Sequence, residues 1–254
     1  MEERQSFYIT LPSNACHDIF PDNNSSNYMI TLSKPIELHG AYEVALAEIM
    51  YCQTWNNIIS LEDTFDVIDH TAPRNPPIYL KIPTGNYETV VQIVQELNSL
   101  FKQVKIDLVL YYSAINKRIS IFGTDRYSIK FKAPLAYMLG FEHNEWIRAG
   151  GKPQSKYPCD INGGQYNFYV YTNIVEAQHV GDYNVPLLII VKKEGSYGDL
   201  ITFSYNRLHY VPVNKQRIQD IQIELKTDLN TPIRFTYGKT ICKLHFRPIS
   251  KSFI

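Results

Sequence analysis

Ile218-Gln-Asp-Ile-Gln-Ile-Glu-Leu225 and Thr240-Ile-Cys-Lys-Leu-His-Phe246 are the stretches whose reading decides the fold. In the first, Ile221, Ile223 and Leu225 alternate with Gln222 and Glu224; in the second, Cys242, Leu244 and Phe246 alternate with Lys243, His245 and Arg247. Successive side chains of a strand point to opposite faces, so a period of two describes strands with one face buried and one face wet. Such strands need a second layer against their dry side, which is the arrangement of an antiparallel sandwich. Further short runs between turn residues predict strands at 166–172, 187–193, 201–205 and 210–213, and near the other end of the chain at 7–11, 28–32 and 42–51. The run 42–51 is apolar on both sides through Val44, Ala45, Leu46, Ala47 and Ile49, which predicts a strand covered on both faces or bulged near Glu48. These runs add up to about eight strands, the number in a double-sheet jelly roll.

Between the early and late strands the period changes. Tyr87, Val90, Val91, Val94, Leu97, Phe101 and Val104 recur at steps of three and four, with Glu88, Gln92, Gln95, Glu96 and Lys102 on the other face. This is an amphipathic helix, with Thr84 or Asn86 as its expected N-cap. A strand at 78–82 precedes it; a hairpin at 108–112 and 118–122, a strand at 127–131 and a short helix at 133–139 closed by Gly140 follow. The expected organisation is therefore mainly β: a discontinuous jelly-roll domain of 1–77 and 143–254, carrying an inserted α+β unit at 78–142. Residues 53–77 and 142–164 read as irregular.

The chain has 254 residues, with 25 Lys+Arg balanced by 25 Asp+Glu. Zero net charge argues against a nucleic-acid coat driven by counterion release, and no sequence-specific nucleic-acid partner is expected. Tyr and Phe are abundant, at 19 and 12, and favour strands and contact surfaces. No stretch approaches the roughly 18 apolar residues of a membrane span. The opening Met1-Glu-Glu-Arg-Gln5 has no apolar segment behind it, so no signal peptide is expected. Cys16, Cys52, Cys159 and Cys242 lie far apart without ligand spacing, which predicts reduced thiols in a reducing compartment.

Glycine-rich phosphate loops and the nucleophile elbow are absent, and the seven His stand singly. Neither a catalytic residue, nor a metal ligand set, nor a cofactor site is expected. Glu62, Asp63, Asp66 and Asp69 cluster, but without the turn glycine that a calcium loop needs they read as a polar loop. Lys102, Lys105, Lys117, Arg118, Arg126, Lys130 and Lys132 bias the inserted unit towards positive charge, as a solvated face or as a contact for an acidic partner. Tyr51 and Trp55, at the end of the third strand, have two readings: anchors for a partner surface, or a plug in one end of the sandwich.

Several segments, in order, resemble the penton, or minor capsid protein, of Polinton/Maverick elements and their adintovirus relatives. They are Phe7-Tyr-Ile-Thr-Leu-Pro-Ser-Asn-Ala15, Asn27-Tyr-Met-Ile-Thr-Leu-Ser-Lys-Pro35, Tyr42-Glu-Val-Ala-Leu-Ala-Glu-Ile-Met-Tyr51 with Trp55, and Phe168-Tyr-Val-Tyr-Thr-Asn-Ile-Val-Glu176. Pro232-Ile-Arg-Phe-Thr-Tyr-Gly-Lys239, Leu244-His-Phe-Arg-Pro248, Gly85-Asn-Tyr87 and Leu139-Gly-Phe141 belong to the same set.

The resemblance implies a single jelly-roll virion protein, not an enzyme, that forms homopentamers at icosahedral fivefold vertices beside a double jelly-roll major capsid protein. It implies assembly inside the host cell and a projecting surface that meets a spike or host receptor. Outward-facing tyrosines then become candidate inter-subunit contacts: Tyr169, Tyr171, Tyr205 and Tyr210, with Tyr51 and Trp55 as candidate partner anchors. The competing reading is a stand-alone lectin-like sandwich that binds glycan or protein, and a cupin- or hydrolase-type enzyme comes third.

Overall fold

The computed structural model describes residues 5–59, 64–72 and 74–249. Glu62 and Asp63 of the acidic cluster, Pro73, and Met1 to Arg4, on which the signal-peptide reading rests, lie outside the described residues. The chain runs β1 (Phe7–Pro12), β2 (Asn27–Glu37), β3 (Tyr42–Cys52), β4 (Thr64–Asp69), β5 (Ile78–Lys81), α1 (Val90–Gln103), β6 (Leu108–Ser113), β7 (Arg118–Gly123), β8 (Tyr127–Phe131) and α2 (Ala133–Leu139). It continues through β9 (Ile147–Arg148), β10 (Asn167–Thr172), β11 (Gln178–Val180), β12 (Tyr183–Val185), β13 (Leu187–Lys192), β14 (Leu200–Ser204), β15 (Val211–Pro212), β16 (Arg217–Lys226) and β17 (Ile241–Pro248). Two compact units result, divided between Trp55 and Asn56 and again between Gly164 and Gln165.

The discontinuous unit is a jelly-roll sandwich. One sheet has the order β1-β17-β3-β14, with the short β15 also on β3, and the other has the order β13-β10-β16-β2. Neighbours are antiparallel throughout, and the chain passes back and forth between the sheets, β1 to β2 to β3 and β14 to β16 to β17. The sequence patterns explain which face is dry. Ile221, Ile223 and Leu225 of β16 and Phe168 and Val170 of β10 meet Cys242, Leu244 and Phe246 of β17 and Val44, Leu46, Ile49 and Tyr51 of β3 in one core. Each such side chain contributes about 1.5–3 kcal/mol by leaving water.

Strand β3 carries a bulge. Lys243 pairs with Glu48 but Leu244 pairs with Leu46, so Ala47 is the extra residue. The inward face therefore moves from Val44 and Leu46 to Ile49 and Tyr51, a change of parity that makes the run look apolar on both sides.

The contiguous unit holds the sheet β5-β4-β8-β9, the hairpin β6-β7 and both helices. Val90, Ile93, Val94, Leu97 and Phe101 are the buried stripe of α1. The N-cap is Thr89, not Thr84 or Asn86: Gln92 N donates to Thr89 Oγ1 and Thr89 N donates to Gln92 Oε1, both at 3.3 Å, forming a capping box. Asn57 fixes the approach to α1 instead, with Tyr87 N donating to its Oδ1 and its Nδ2 donating to Tyr87 O, both at 2.9 Å. Helix α2 ends at Gly140 as expected, in the left-handed conformation at φ 77°.

This unit is wider than the expected insertion at 78–142. The stretch that reads as irregular contains β4, the strand between β5 and β8, because Asp66 interrupts the apolar pattern. Asp66 is 3% exposed and is matched across the ladder by Lys130, whose Nζ lies 3.2 Å from Asp66 Oδ2. Downstream, β9 pairs with β8, which ties part of the expected loop into the same unit. In the sandwich unit, the hairpin β11-β12 was not expected at all, because its exposed residues show no alternation.

Candidate functional site

The sequence-selected aromatics fall into three environments. Tyr51 is fully buried and Trp55 is 5% exposed. Trp55 stands edge-on to Phe235 at 5.3 Å and to Phe168 at 6.2 Å, and Tyr51 lies 5.9 Å from Trp55. Burial pushes the Tyr51 hydroxyl up to about 12. The two rings therefore plug the sandwich, and the partner-anchor reading of Tyr51 and Trp55 is corrected: almost no ring surface is left to offer. Tyr205 extends the row Ile201 and Phe203, packs partly against the same core, and has its hydroxyl pushed up to about 12 by burial.

Tyr169 and Tyr171 occupy the outer face of the second sheet. Phe168, Val170 and Thr172 face the core at 1%, 0% and 2% exposure, so the period of two turns the intervening tyrosines outward. Their rings stack at 6.4 Å with an interplanar angle of 13°. Tyr169 sits between Ile190 of β13, which is exposed, and Lys226 of β16, while Tyr171 sits opposite Glu224. Lys226 Nζ lies 2.9 Å from Glu224 Oε2 and 5.5 Å from the Tyr171 ring. Partial burial, then the neighbouring Tyr169 and Glu224, hold the Tyr171 phenol above its ordinary value. The result is an apolar strip with one ion pair at its edge.

Tyr210 belongs to a different patch, on the outer face of the first sheet. Its hydroxyl lies 2.6 Å from His245 Nδ1, and the Arg247 guanidinium lies 3.6 Å from its ring centroid. Arg247 Nε donates to Glu43 Oε1 at 2.5 Å, and the exposed Tyr8 covers His245 at 4.4 Å. Burial, then the charge of Arg247, keep the His245 imidazole below its usual value. Tyr8, His245 and Arg247 were missed as contact candidates; the outward parity of β1 and β17 was the available signal.

The two members of the acidic cluster among the described residues, Asp66 and Asp69, are held by cations. Asp66 meets Lys130, and Asp69 accepts from Arg126 Nε and Nη2 at 3.0 and 2.7 Å. Among the described residues no three His, Cys, Asp or Glu side chains converge as a metal set. No helix among them is long and apolar enough to cross a membrane. Burial pushes the Cys159 and Cys242 thiols up to about 12.

Two sheets, of five strands with the short β15 and of four, with a contiguous α+β unit between β3 and β10 in the chain, define a jelly-roll protein of penton-like fold. The chain is similar in structure to the mavirus penton protein, known from a crystal structure of its selenomethionine-labelled form. The TM-score is 0.50, the identity 12%, and the match covers 96% of this chain and 100% of the other. No protein-family model matches the sequence, and no curated protein matches it.

Proposed function

We propose that this protein is a structural virion component: a penton-like minor capsid protein that forms homopentamers at icosahedral fivefold vertices, beside a double jelly-roll major capsid protein. The observation that carries the reading is the jelly-roll strand order, together with a likeness to the mavirus penton protein over nearly the whole of both chains. The ordered segments of Polinton/Maverick penton resemblance support the finer assignment. Balanced charge suits a protein whose contacts are lateral and proteinaceous. In this reading the chain has no catalytic role, it assembles within the host cell, and a spike or host receptor meets a projecting surface of the vertex.

A closed ring uses heterologous contacts, in which one patch of a subunit meets a different patch of its neighbour. The sandwich offers two different aromatic patches on opposite sheets: Tyr169, Tyr171 and Ile190 on one, Tyr8, Tyr210 and His245 on the other. Tyrosine suits such contacts because it supplies large area for few rotatable bonds. The test is solution mass by light scattering with negative-stain images, for the protein alone and mixed with the major capsid protein. Fivefold rings are expected, and the double variant Tyr169→Ala, Tyr171→Ala should fold but lose them. A protein that stays monomeric in both settings overturns the vertex reading, and a double variant that assembles normally removes the tyrosine strip from the contact.

A further inference from the structure

We infer that the cleft between residues 13–26 and 232–239 of the sandwich binds an acidic saccharide, one that bears carboxylate or sulfate groups. Its volume is about 550 Å³, within the roughly 300–1,000 Å³ of small-molecule sites. The two walls are the segment joining β1 to β2 and the segment joining β16 to β17, so the site belongs to one chain and does not depend on a ring.

Charge is the first argument. The basic side chains lining the cleft are His17, Arg234 and Lys239, and no carboxylate lines it. Acids and bases balance over the whole chain, so a concavity lined by bases alone is a local imbalance. Elsewhere some cations are held by a carboxylate, as Arg126 is by Asp69 and Arg247 by Glu43. Among the described residues neither Arg234 nor Lys239 has an acidic partner. A concave surface with one sign of charge concentrates the field at its mouth and attracts anions.

The rest of the lining selects among anions. Tyr237 is 54% exposed, and Tyr197 braces it edge-on at 6.2 Å. An open aromatic face beside the Asn14 amide and the Ser25 hydroxyl matches a sugar ring, which has one apolar face and a rim of hydroxyls. A bare inorganic anion would make no use of the ring.

The cleft is also held in shape before any ligand arrives. Ser13 N donates to Thr240 O at 2.8 Å, and Thr240 N donates to Ser13 Oγ at 3.0 Å. Ser25 Oγ donates to Gly238 O at 2.8 Å, joining the two walls directly. Thr236 Oγ1 donates to Thr54 O at 2.6 Å, and Thr54 Oγ1 donates to Tyr237 O at 2.7 Å, which fixes the segment carrying the tyrosine. Gly238 is left-handed at φ 94°, and a Cβ there would lie 2.7 Å from Cys52 Cβ, so the wall approaches β3 as only glycine permits. Binding therefore needs little loop ordering, which otherwise subtracts from affinity.

The test titrates the purified full chain by calorimetry with a heparin-derived hexasaccharide, neutral maltohexaose, inorganic sulfate and an acidic peptide of Asp and Glu. The hexasaccharide should bind and maltohexaose should not, with affinity falling as salt rises. Arg234→Ala with Lys239→Ala should weaken the hexasaccharide about tenfold, since two exposed ion contacts are removed. Lys192→Ala with Arg217→Ala makes the same charge change at cations already paired with Glu194 and Glu37, and should leave binding unchanged. Tyr237→Ala should weaken the hexasaccharide but not sulfate. Absence of hexasaccharide binding at millimolar concentration, equal binding of maltohexaose, or equal losses in the two double variants each overturns the inference. Equal affinity for the acidic peptide overturns the saccharide assignment.

Discussion

Replacing Trp55 by alanine separates a core plug from a surface anchor. At 5% exposure nearly all of the indole is out of water, and three aromatic rings stand within 5.3–6.2 Å of it. A buried tryptophan removes about 150–250 Å² from solvent. At about 25 cal/mol per Å² this is worth roughly 4–6 kcal/mol, and measured Trp-to-Ala changes in cores cost about 3–5 kcal/mol. A loss of about 4 kcal/mol is therefore expected, a large share of the roughly 5–15 kcal/mol that holds a domain together. With a urea slope near 3 kcal/mol/M, the midpoint of the sandwich transition should fall by about 1.3 M. Far-UV circular dichroism follows the transition, and Trp146, which lies in the other unit, remains as a separate fluorescent reporter. If Trp55→Ala left the midpoint within about 0.2 M of the parent while abolishing assembly or ligand capture, the core assignment would be wrong and the ring would be a contact residue after all.

Gly140→Ala should destabilise the contiguous unit by about 2 kcal/mol or more, since the left-handed conformation alone costs about 1–2 kcal/mol for a residue with a Cβ, and that Cβ would meet Tyr157 O at 2.1 Å. Gly151→Ala, at φ 84° with nothing within 4 Å, is the control and should lose only the conformational part; equal losses in thermal unfolding would refute the steric argument. Asp69→Asn tests the ion pair with Arg126, whose hydrogen bonds hold the Asp69 carboxyl well below the usual carboxylate range. A lowered folded-state value means that the stabilisation is present above the ordinary carboxylate pKa and is lost as pH falls through the folded one. The Tm difference between parent and Asp69→Asn should accordingly be present at neutral pH and shrink steadily in acid; a difference that grows in acid would reverse the sign.

The sandwich could be read from the sequence because most of its strands bury one face, and a two-residue period survives in a single chain. The same period turns Tyr169 and Tyr171 outward between Phe168, Val170 and Thr172. It failed at β4, where a buried carboxylate is tolerated only because Lys130 stands opposite, a fact held in the register and invisible locally. The true cap of α1 was legible, since Thr89-Val-Val-Gln92 is a capping-box sequence, but Thr84 and Asn86 competed for the same role. Trp55 had two readings because aromatic content gives no direction; the closing of Tyr51, Phe168 and Phe235 around it decides for the core. Parity could turn Tyr8 and His245 outward, but neither their meeting with Tyr210 nor the basic cleft could be assembled from the sequence, because each joins residues far apart in the chain.

The pairing of β1 with β17, in which Phe7 stands opposite Phe246, also sets an order of events during synthesis. The α+β unit is contiguous and is complete once residue 164 has left the ribosome. The sandwich at that point has only β1 to β3, and its central strands β16 and β17 are the last to be made. Long-range strand pairing is slow because loop closure must precede any gain from contact. The three early strands must therefore wait with their apolar faces uncovered, and the already folded unit between them and their partners shortens the gap that the late strands have to close.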